Sequence, residues 1–376
     1  MRTLLFLIAT VFFSFSATCQ KSGTFKPGEI WPDNKGVHIN AHGGGILFHN
    51  GKYYWFGEHK VEGKRGNQAW VGVHCYSSEN LTDWTDEGIA LSVSNNPESE
   101  ITAGCVIERP KVIYNKKTGK FVMWFHLELK GQGYKAAKTG VAVADNPIGP
   151  YNFVKAVNPD AGVWPVNFSD ELISKTFPEN LKDWSDEWIQ AVKDGLFVHR
   201  DFKKGQMARD MTLYVDNDGK AYHIHASEEN LTLHIAELSD DYTDFTGKYI
   251  RVLPTGHNEA PAMFKYNNKY FMITSGCTGW APNAARLLVS GSVMGNWEYI
   301  ENPCVGEDKE LTFHGQSTYI LPVEGKKDAF IFMADRWNPD NAIDGRYIWL
   351  PIQFNEKGNP YLEWLDEWQL SIFDKK

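Results

Sequence analysis

Apolar and polar positions along this chain alternate in short runs, and the runs come in pairs joined by tight turns. Residues 42–48 and 53–57 are two such runs, separated by Asn50-Gly51. Asn-Gly between apolar runs predicts a β-hairpin, because a type I′ turn needs φ > 0 at both central positions. The arrangement returns four times. Gly119-Lys120-Phe121-Val122-Met123-Trp124 follows Ile107-Glu108-Arg109-Pro110, and Asp218-Gly219-Lys220-Ala221-Tyr222-His223 follows Arg209-Asp210-Met211. Asn267-Asn268-Lys269-Tyr270-Phe271-Met272 follows Asn258-Glu259-Ala260-Pro261, and Gly325-Lys326-Lys327-Asp328-Ala329-Phe330 follows Gly315-Gln316-Ser317. Each time a polar residue opens a strand, a turn follows, and an apolar strand returns. Self-similarity at roughly 40–50 residues with several strands per unit predicts a propeller, one blade per repeat. The expected fold is all-β, a five-bladed β-propeller.

Between blades two and three, at about residues 158–205, the alternation gives way to helical spacing at Trp184, Trp188, Ile189 and Val192. Ser185 suits an N-cap, with Asp186 and Glu187 in the first turn where the helix dipole favours acidic groups. A helical insertion is therefore expected there. It reads first as a packed decoration and second as a wall beside a substrate funnel, since it ends directly before Arg209-Asp210. The apolar tail around Trp349 and from Trp364 to Trp368 is expected to help close the ring.

The N-terminus carries Arg2, then an apolar run over residues 4–15, then Ser16-Ala17-Thr18-Cys19-Gln20. This predicts a signal peptide over residues 1–19, too short to span a bilayer. Two outcomes follow: lipidation of Cys19, which gives a cell-surface or periplasmic lipoprotein, or cleavage that releases a secreted protein starting at Gln20. Residues 20–376 are expected to form one propeller domain, monomeric, with no membrane span. Cys75, Cys105, Cys277 and Cys304 show no metal-binding spacing and are expected as free thiols.

A net charge of −9 leaves no basic stripe to neutralise phosphates, which argues against a nucleic-acid partner and disfavours any polyanion. A neutral oligo- or polysaccharide fits better. Fourteen Trp in a chain that is 14% aromatic can fill narrow cores between sheets and also form platforms for sugar rings. Trp280, in a glycine-rich loop with Asn283, and Trp55, within a strand, are the candidate platforms. Trp55 has the competing reading of a core residue.

In a propeller the first strand of each blade lines the central channel. The residues opening those strands are His42, Glu108, Asp210, Glu259 and Gln316. Three carboxylates, an imidazole and an amide around one mouth repel and perturb one another, a costly arrangement that points to chemistry. Carboxylates around a neutral, aromatic-lined pocket suit glycoside hydrolysis, in which one acid protonates the leaving oxygen and a group on the opposite face handles water. No cofactor is expected, with a structural calcium ion left open. Asp216-Asn217-Asp218-Gly219 starts like a calcium loop but lacks the downstream Glu, and reads as a hairpin turn.

Asn40-Ala41-His42-Gly43-Gly44-Gly45, Glu108-Arg109-Pro110-Lys111, Arg209-Asp210-Met211-Thr212-Leu213 and the loop from Thr274 to Asn283, taken in order, resemble glycoside hydrolase family 43 and its exo-β-1,3-galactanase-like branch. The resemblance covers roughly residues 35–370 and implies an inverting, exo-acting enzyme that releases terminal galactose from β-1,3-galactan of the arabinogalactan type. It also implies roles. Glu259 becomes the general acid, and Asp210 the carboxylate that positions it and raises its pKa. Most of the family opens blade one with an aspartate base, which this sequence lacks, having His42 and three glycines there. In the galactanase-like branch a glutamine takes over, here Gln316. Glu108 binds the sugar near its C2 hydroxyl, and Glu58, His42, Glu228 and Asn283 are further sugar contacts. An α-L-arabinofuranosidase of the same fold is the near alternative. A non-catalytic carbohydrate-binding propeller is the second, which retention of both Glu259 and Asp210 disfavours. A purely structural propeller predicts no convergent carboxylates.

Overall fold

The computed structural model describes residues 23–375. The expected signal peptide, Cys19 and Gln20 lie outside the described residues. Turn chemistry lays down the hairpins. Asn50 and Gly51 both take left-handed backbone (φ 49° and 82°), with His49 paired to Lys52. Asn267 and Asn268 do the same between Tyr266 and Lys269 (φ 49° and 60°). The acidic turn at residues 216–219 is likewise a hairpin: Asp216 N–H donates to the Lys220 carbonyl, and its carboxylate accepts from Lys265 and Tyr270.

Four antiparallel blades have four strands each. The first joins His42–His49, Lys52–His59, Gly72–Ser78 and Thr85–Ser92. The second joins Val106–Asn115, Lys120–Glu128, Lys138–Ala144 and Asn152–Val157. The third joins Met211–Val215, Ala221–Ser227, Thr232–Leu238 and Phe245–Val252, and the fourth Glu259–Tyr266, Lys269–Ser275, Arg286–Ser290 and Glu298–Glu301. Gln316–Pro322, Phe330–Arg336 and Arg346–Pro351 make a three-stranded blade.

The expectation of five blades is corrected, because the chain builds six. The additional sheet joins Cys304–Val305, Pro360–Glu363 and Gln353–Phe354, the first two in parallel. Its strands are two to four residues long. Two of them, Gln353–Phe354 and Pro360–Glu363, form a hairpin around the turn at residues 355–359, but its strands are too short to show an alternating pattern, and the third strand lies about 50 residues earlier in the chain. A seventh, two-stranded sheet pairs Thr24–Phe25 with Trp368–Gln369. There Trp368 stacks on Phe25 and donates to the Trp349 carbonyl, fastening the tail to the N-terminal strand.

Helix among the described residues is limited to short pieces. Three α-helices lie between the second and third blades: α1 (Asp170–Ser174), α2 (Asp186–Lys193) and α3 (Leu196–Asp201). Ser185 caps α2 by accepting the Trp188 N–H, and Asp186 and Glu187 occupy its first turn. No helix of the described residues is long and apolar enough to cross a membrane.

Apolar clusters fill the gaps between blades. One of them holds Trp55, Trp84, Trp349 and Trp368 with Phe25 and Tyr347. Trp55 is 1% exposed and meets Trp349 at 4.7 Å between ring centroids and Trp84 at 5.3 Å. It is a core residue and not a sugar platform.

One irregularity recurs at the top of the first strands. The pairing register slips directly after His42, after Glu108 and after Glu259. The following residue has positive φ each time: Gly43 (60°), Arg109 (56°) and Ala260 (51°). Such bulges bend a strand and re-aim the side chains beside them. Left-handed backbone costs an L-residue about 1 kcal/mol or more, so its repetition at equivalent points marks a built feature.

Candidate active site

Glu108, Asp210, Glu259 and Gln316 converge from four blades on one open cavity of about 260 Å³. Glu58, Asn67, Arg109, His126, Tyr134, Arg209, Asn230, Trp280 and Trp337 complete its wall. The additional sheet contributes nothing to it, and neither does the helical insertion.

Arg109 is the hub. Its left-handed backbone turns the side chain under the cavity floor, where it is almost wholly buried. One Nη2 donates to Asp210 Oδ2 at 2.9 Å and to Gln316 Oε1 at 2.5 Å, and Nη1 donates to the Ser317 carbonyl at 2.8 Å. The guanidinium also faces the Trp337 ring, 5.3 Å from its centroid. A planar donor fork of this kind sets the angles of both partners at once.

Glu108 is held as a carboxylate. Burial alone would raise its pKa, but His126 (2.9 Å), Lys60 and Tyr134 (2.7 Å) keep it well below the usual carboxylate range. His126 is opposed by burial too, yet Glu108 and Glu128 on its two nitrogens lift it to about 9.

Glu259 is pushed the other way, up to about 7. Burial is the main cause and the neighbouring Asp210 charge adds to it, while Cys277, Arg109 and Arg209 pull it down. Asn230 Nδ2 donates to Glu259 Oε1 at 2.6 Å. A carboxyl that holds its proton near neutrality, beside an arginine-bound carboxylate, has the properties of a general acid.

Gln316 is oriented without ambiguity. Arg109 and the Trp337 indole (3.0 Å) can only donate, so the atom they meet must be the amide oxygen. The amide nitrogen donates to Ser275 Oγ at 2.9 Å.

Trp280 stands at the rim, 45% exposed, with Trp337 edge-on at 5.9 Å. Glu58 lies at the floor, accepting the Arg109 N–H at 2.9 Å and paired with Lys60. The glycines beside His42 are explained by this packing. A Cβ at Gly43 would collide with the Glu58 carboxylate, and one at Gly45 with the stem of buried Lys111.

Three other expected sugar contacts are not in the cavity wall. His42 is fully buried beneath it, stacked 5.3 Å from Tyr347, with neither ring nitrogen hydrogen-bonded and Nδ1 3.7 Å from Asp335 Oδ2. Glu228 is fully buried in a cluster with Arg251 and His234; burial would raise its pKa, yet Arg251 and His234 hold it at about 2. Asn283 instead ties its own loop, bonding the backbone N–H and carbonyl of Gly276. His42 opens a first strand, Asn283 ends a motif loop and Glu228 follows from the resemblance, and none of these grounds reveals which face of the backbone a side chain takes. Arg109, Asn67, His126, Tyr134, Asn230 and Trp337 were missed as site residues. Arg109 alone had a local signal, as the residue following a strand-opening carboxylate.

The four cysteines among the described residues are free, three of them buried. The fourth, Cys277, lies beside Glu259 and donates to the Asn230 carbonyl at 3.7 Å. Glu108, His126 and Asp210 offer donor atoms within 4.8 Å of one another, the only such metal-sized group among the described residues. Within it His126 Nδ1 is 2.9 Å from Glu108 Oε2, and its Nε2 is 3.0 Å from Glu128 Oε1.

The model of the family described as glycosyl hydrolases family 43 matches residues 183–360. Among solved structures, a family 43 β-1,3-galactosidase with galactodeoxynojirimycin is 56% identical at a TM-score of 0.90, over 92% of this chain and 100% of that one. A second family 43 β-1,3-galactosidase is 36% identical at a TM-score of 0.77, over 93% of this chain and 64% of that one. An exo-β-1,3-galactanase from Phanerochaete chrysosporium, solved with β-1,3-galactotriose, is 30% identical at a TM-score of 0.74, over 92% and 68%. The chain thus spans about two thirds of these last two proteins. No curated protein matches it.

Proposed function

We propose that this chain, which belongs to glycosyl hydrolase family 43, removes galactose from the ends of β-1,3-linked galactan chains. The observation that carries the reading is the pairing of Glu259, a carboxyl raised to about 7, with Asp210 locked by Arg109 in a single cavity. The similar structures act on β-1,3-galactans, and this supports galactan as the substrate.

The roles follow from the geometry. Glu259 gives its proton to the glycosidic oxygen as the bond breaks. Asp210 stays charged against Arg109 and keeps that proton on Glu259 until it is needed. Glu108, ionised and facing the cavity, accepts from a sugar hydroxyl, in keeping with contact at C2. Gln316 orients water on the face opposite the acid, so that direct displacement inverts the anomeric carbon. Trp280 covers one side of the sugar from the rim. The polar cavity and apolar edge suit a neutral pyranose.

Product release by chromatography from β-1,3-galactobiose and from arabinose-decorated galactan tests the reading. Galactose from the disaccharide, first appearing as the α anomer by NMR, is the expected result. Arabinose alone would move the specificity to furanosides, and binding without any product would favour a carbohydrate-binding protein. Export is part of this proposal only through the apolar N-terminal run, and mass spectrometry of the mature protein would show whether the chain begins at Cys19 with a lipid or at Gln20.

A further inference from the structure

The hairpin turn between Ala221–Ser227 and Thr232–Leu238 has an unusual backbone. Glu228, Glu229 and Asn230 are all left-handed in succession, at φ 51°, 58° and 63°. Isolated left-handed residues are ordinary in turns, but each L-residue held there is sterically strained, least so Asn. Three in a row persist only where the surroundings impose them.

Each of the four turn residues is tied to something different. Glu228 is fully buried and accepts from Arg251 Nε at 2.6 Å, Arg251 Nη2 at 2.7 Å and His234 Nε2 at 2.8 Å. Arg251 in turn donates to the Val192 and Lys193 carbonyls at 2.6 and 2.7 Å, at the C-terminal end of α2. A cation satisfies those end carbonyls and the helix dipole together. Glu229 pairs with Arg200 of α3 at 2.9 Å. Leu231 is 2% exposed and packs with Trp188 and Val192 of α2 and Phe197 of α3. Three of the four residues are therefore held by the helical insertion, directly or through Arg251. The remaining one, Asn230, points at Glu259.

We propose that the insertion acts as a brace that aims Asn230, and that Asn230 is a positioning residue for the acid Glu259. This rests on the reading of Glu259 as the general acid and adds what holds it. The insertion contributes no residue to the cavity wall, and its effect passes through the turn. Asn230 Nδ2 fixes one carboxyl oxygen of Glu259, while its backbone carbonyl accepts from Cys277 Sγ at 3.7 Å, a thiol that also neighbours the acid. An amide N–H on a carboxylate oxygen favours the ionised form. Losing it would both free the side chain and raise the pH at which the acid gives up its proton.

The test compares Asn230→Ala and Leu231→Ala with the wild type on β-1,3-galactobiose and on 4-nitrophenyl β-galactoside, whose leaving group needs little protonation. For both variants the expected result is a loss in kcat on the disaccharide on the order of tenfold, with KM changed less than about twofold. The basic limb of the kcat/KM profile should move to higher pH, and the aryl substrate should be largely spared. An unmoved limb, or equal loss on both substrates, overturns the positioning role. The signature in Asn230→Ala with wild-type behaviour in Leu231→Ala overturns the brace. Should Leu231→Ala fail to fold, Arg200→Gln is read in its place by the same criteria. A wild-type protein that releases no galactose from the disaccharide overturns the functional reading and the brace with it. Wild-type turnover with unmoved variants overturns the brace alone.

Discussion

Nη2 of Arg109 donates to the amide oxygen of Gln316 at 2.5 Å. With the Trp337 indole on the same oxygen, both of its lone pairs are engaged, and Ser275 accepts one of the two amide N–H bonds. In its ordinary amide form Gln316 therefore offers the cavity a donor and no free acceptor. Two obligate donors on the oxygen disfavour the imidic-acid tautomer, whose O–H would find no acceptor there, so the group that Gln316 can turn to water is its remaining amide N–H. Gln316→Ala is expected to lower kcat on β-1,3-galactobiose on the order of a hundredfold or more, the usual scale for a group that handles the proton or water. Gln316→Glu supplies a true carboxylate to the same donors and should retain much more activity, with a new acidic limb in its pH profile. Near-full turnover by Gln316→Ala would move the water-activating role to Glu108 or Glu58.

Glu259 must be protonated to act, and its pKa is raised to about 7. Activity should therefore be present below about pH 7 and fall as pH rises through it. Asp210 is the second-largest cause of that rise, after burial, so Asp210→Asn should move the basic limb of kcat/KM to lower pH. Movement in the opposite direction would show that Asp210 acts on Glu259 other than through its charge. Glu259→Gln should lose most on galactobiose and least on an aryl galactoside, a contrast that steady-state kinetics on the two substrates will reveal.

His126 contributes a pH dependence to stability rather than to chemistry. Its folded-state pKa, about 9, is above the unfolded value near 6.5. The stabilisation is fully present below about pH 6.5 and is lost as pH rises through about 9. Thermal melts should show declining Tm over that window. His126→Gln should melt lower at pH 6 and show a flatter profile, and an equally steep decline in the variant would assign the effect to other groups.

Trp55 and Trp280 should separate cleanly. Trp55 lies in the aromatic core, so Trp55→Ala should cost about 3–5 kcal/mol of stability, visible in denaturant unfolding. Trp280 is exposed at the rim, so Trp280→Ala should leave stability nearly unchanged and raise KM, by about tenfold if the ring covers the sugar. A stable Trp55→Ala protein with a raised KM would reverse the assignment.

Much of the local structure was legible in the chain. Asn50-Gly51 forced its turn because few other pairs tolerate left-handed backbone at both positions. Alternating apolar residues set which strand faces were buried, and Ser185 with Asp186 and Glu187 marked the start of α2. The strand-opening residues Glu108, Asp210, Glu259 and Gln316 could be picked out because equivalent positions in repeated blades must point to a common axis. These are consequences of short-range sterics and of periodicity, which a sequence carries on its face.

Other features depended on tertiary structure. The additional sheet arose from strands too short to leave a pattern, one of them brought in from about 50 residues earlier in the chain. The burial of His42 and Glu228 hung on which way a bulged or left-handed backbone turned, and that is settled by packing against Tyr347 and Arg251. Arg109 became the hub because a bulge brought its guanidinium between Asp210 and Gln316, residues more than a hundred positions away. The pKa values of Glu259 and Glu108 diverge for the same reason. Two carboxyl groups of the same chemistry, opening equivalent strands, are driven apart by burial beside Asp210 in one case and by a charged His126 in the other. A residue's type states which protons it can hold; only its neighbours in space decide which it does.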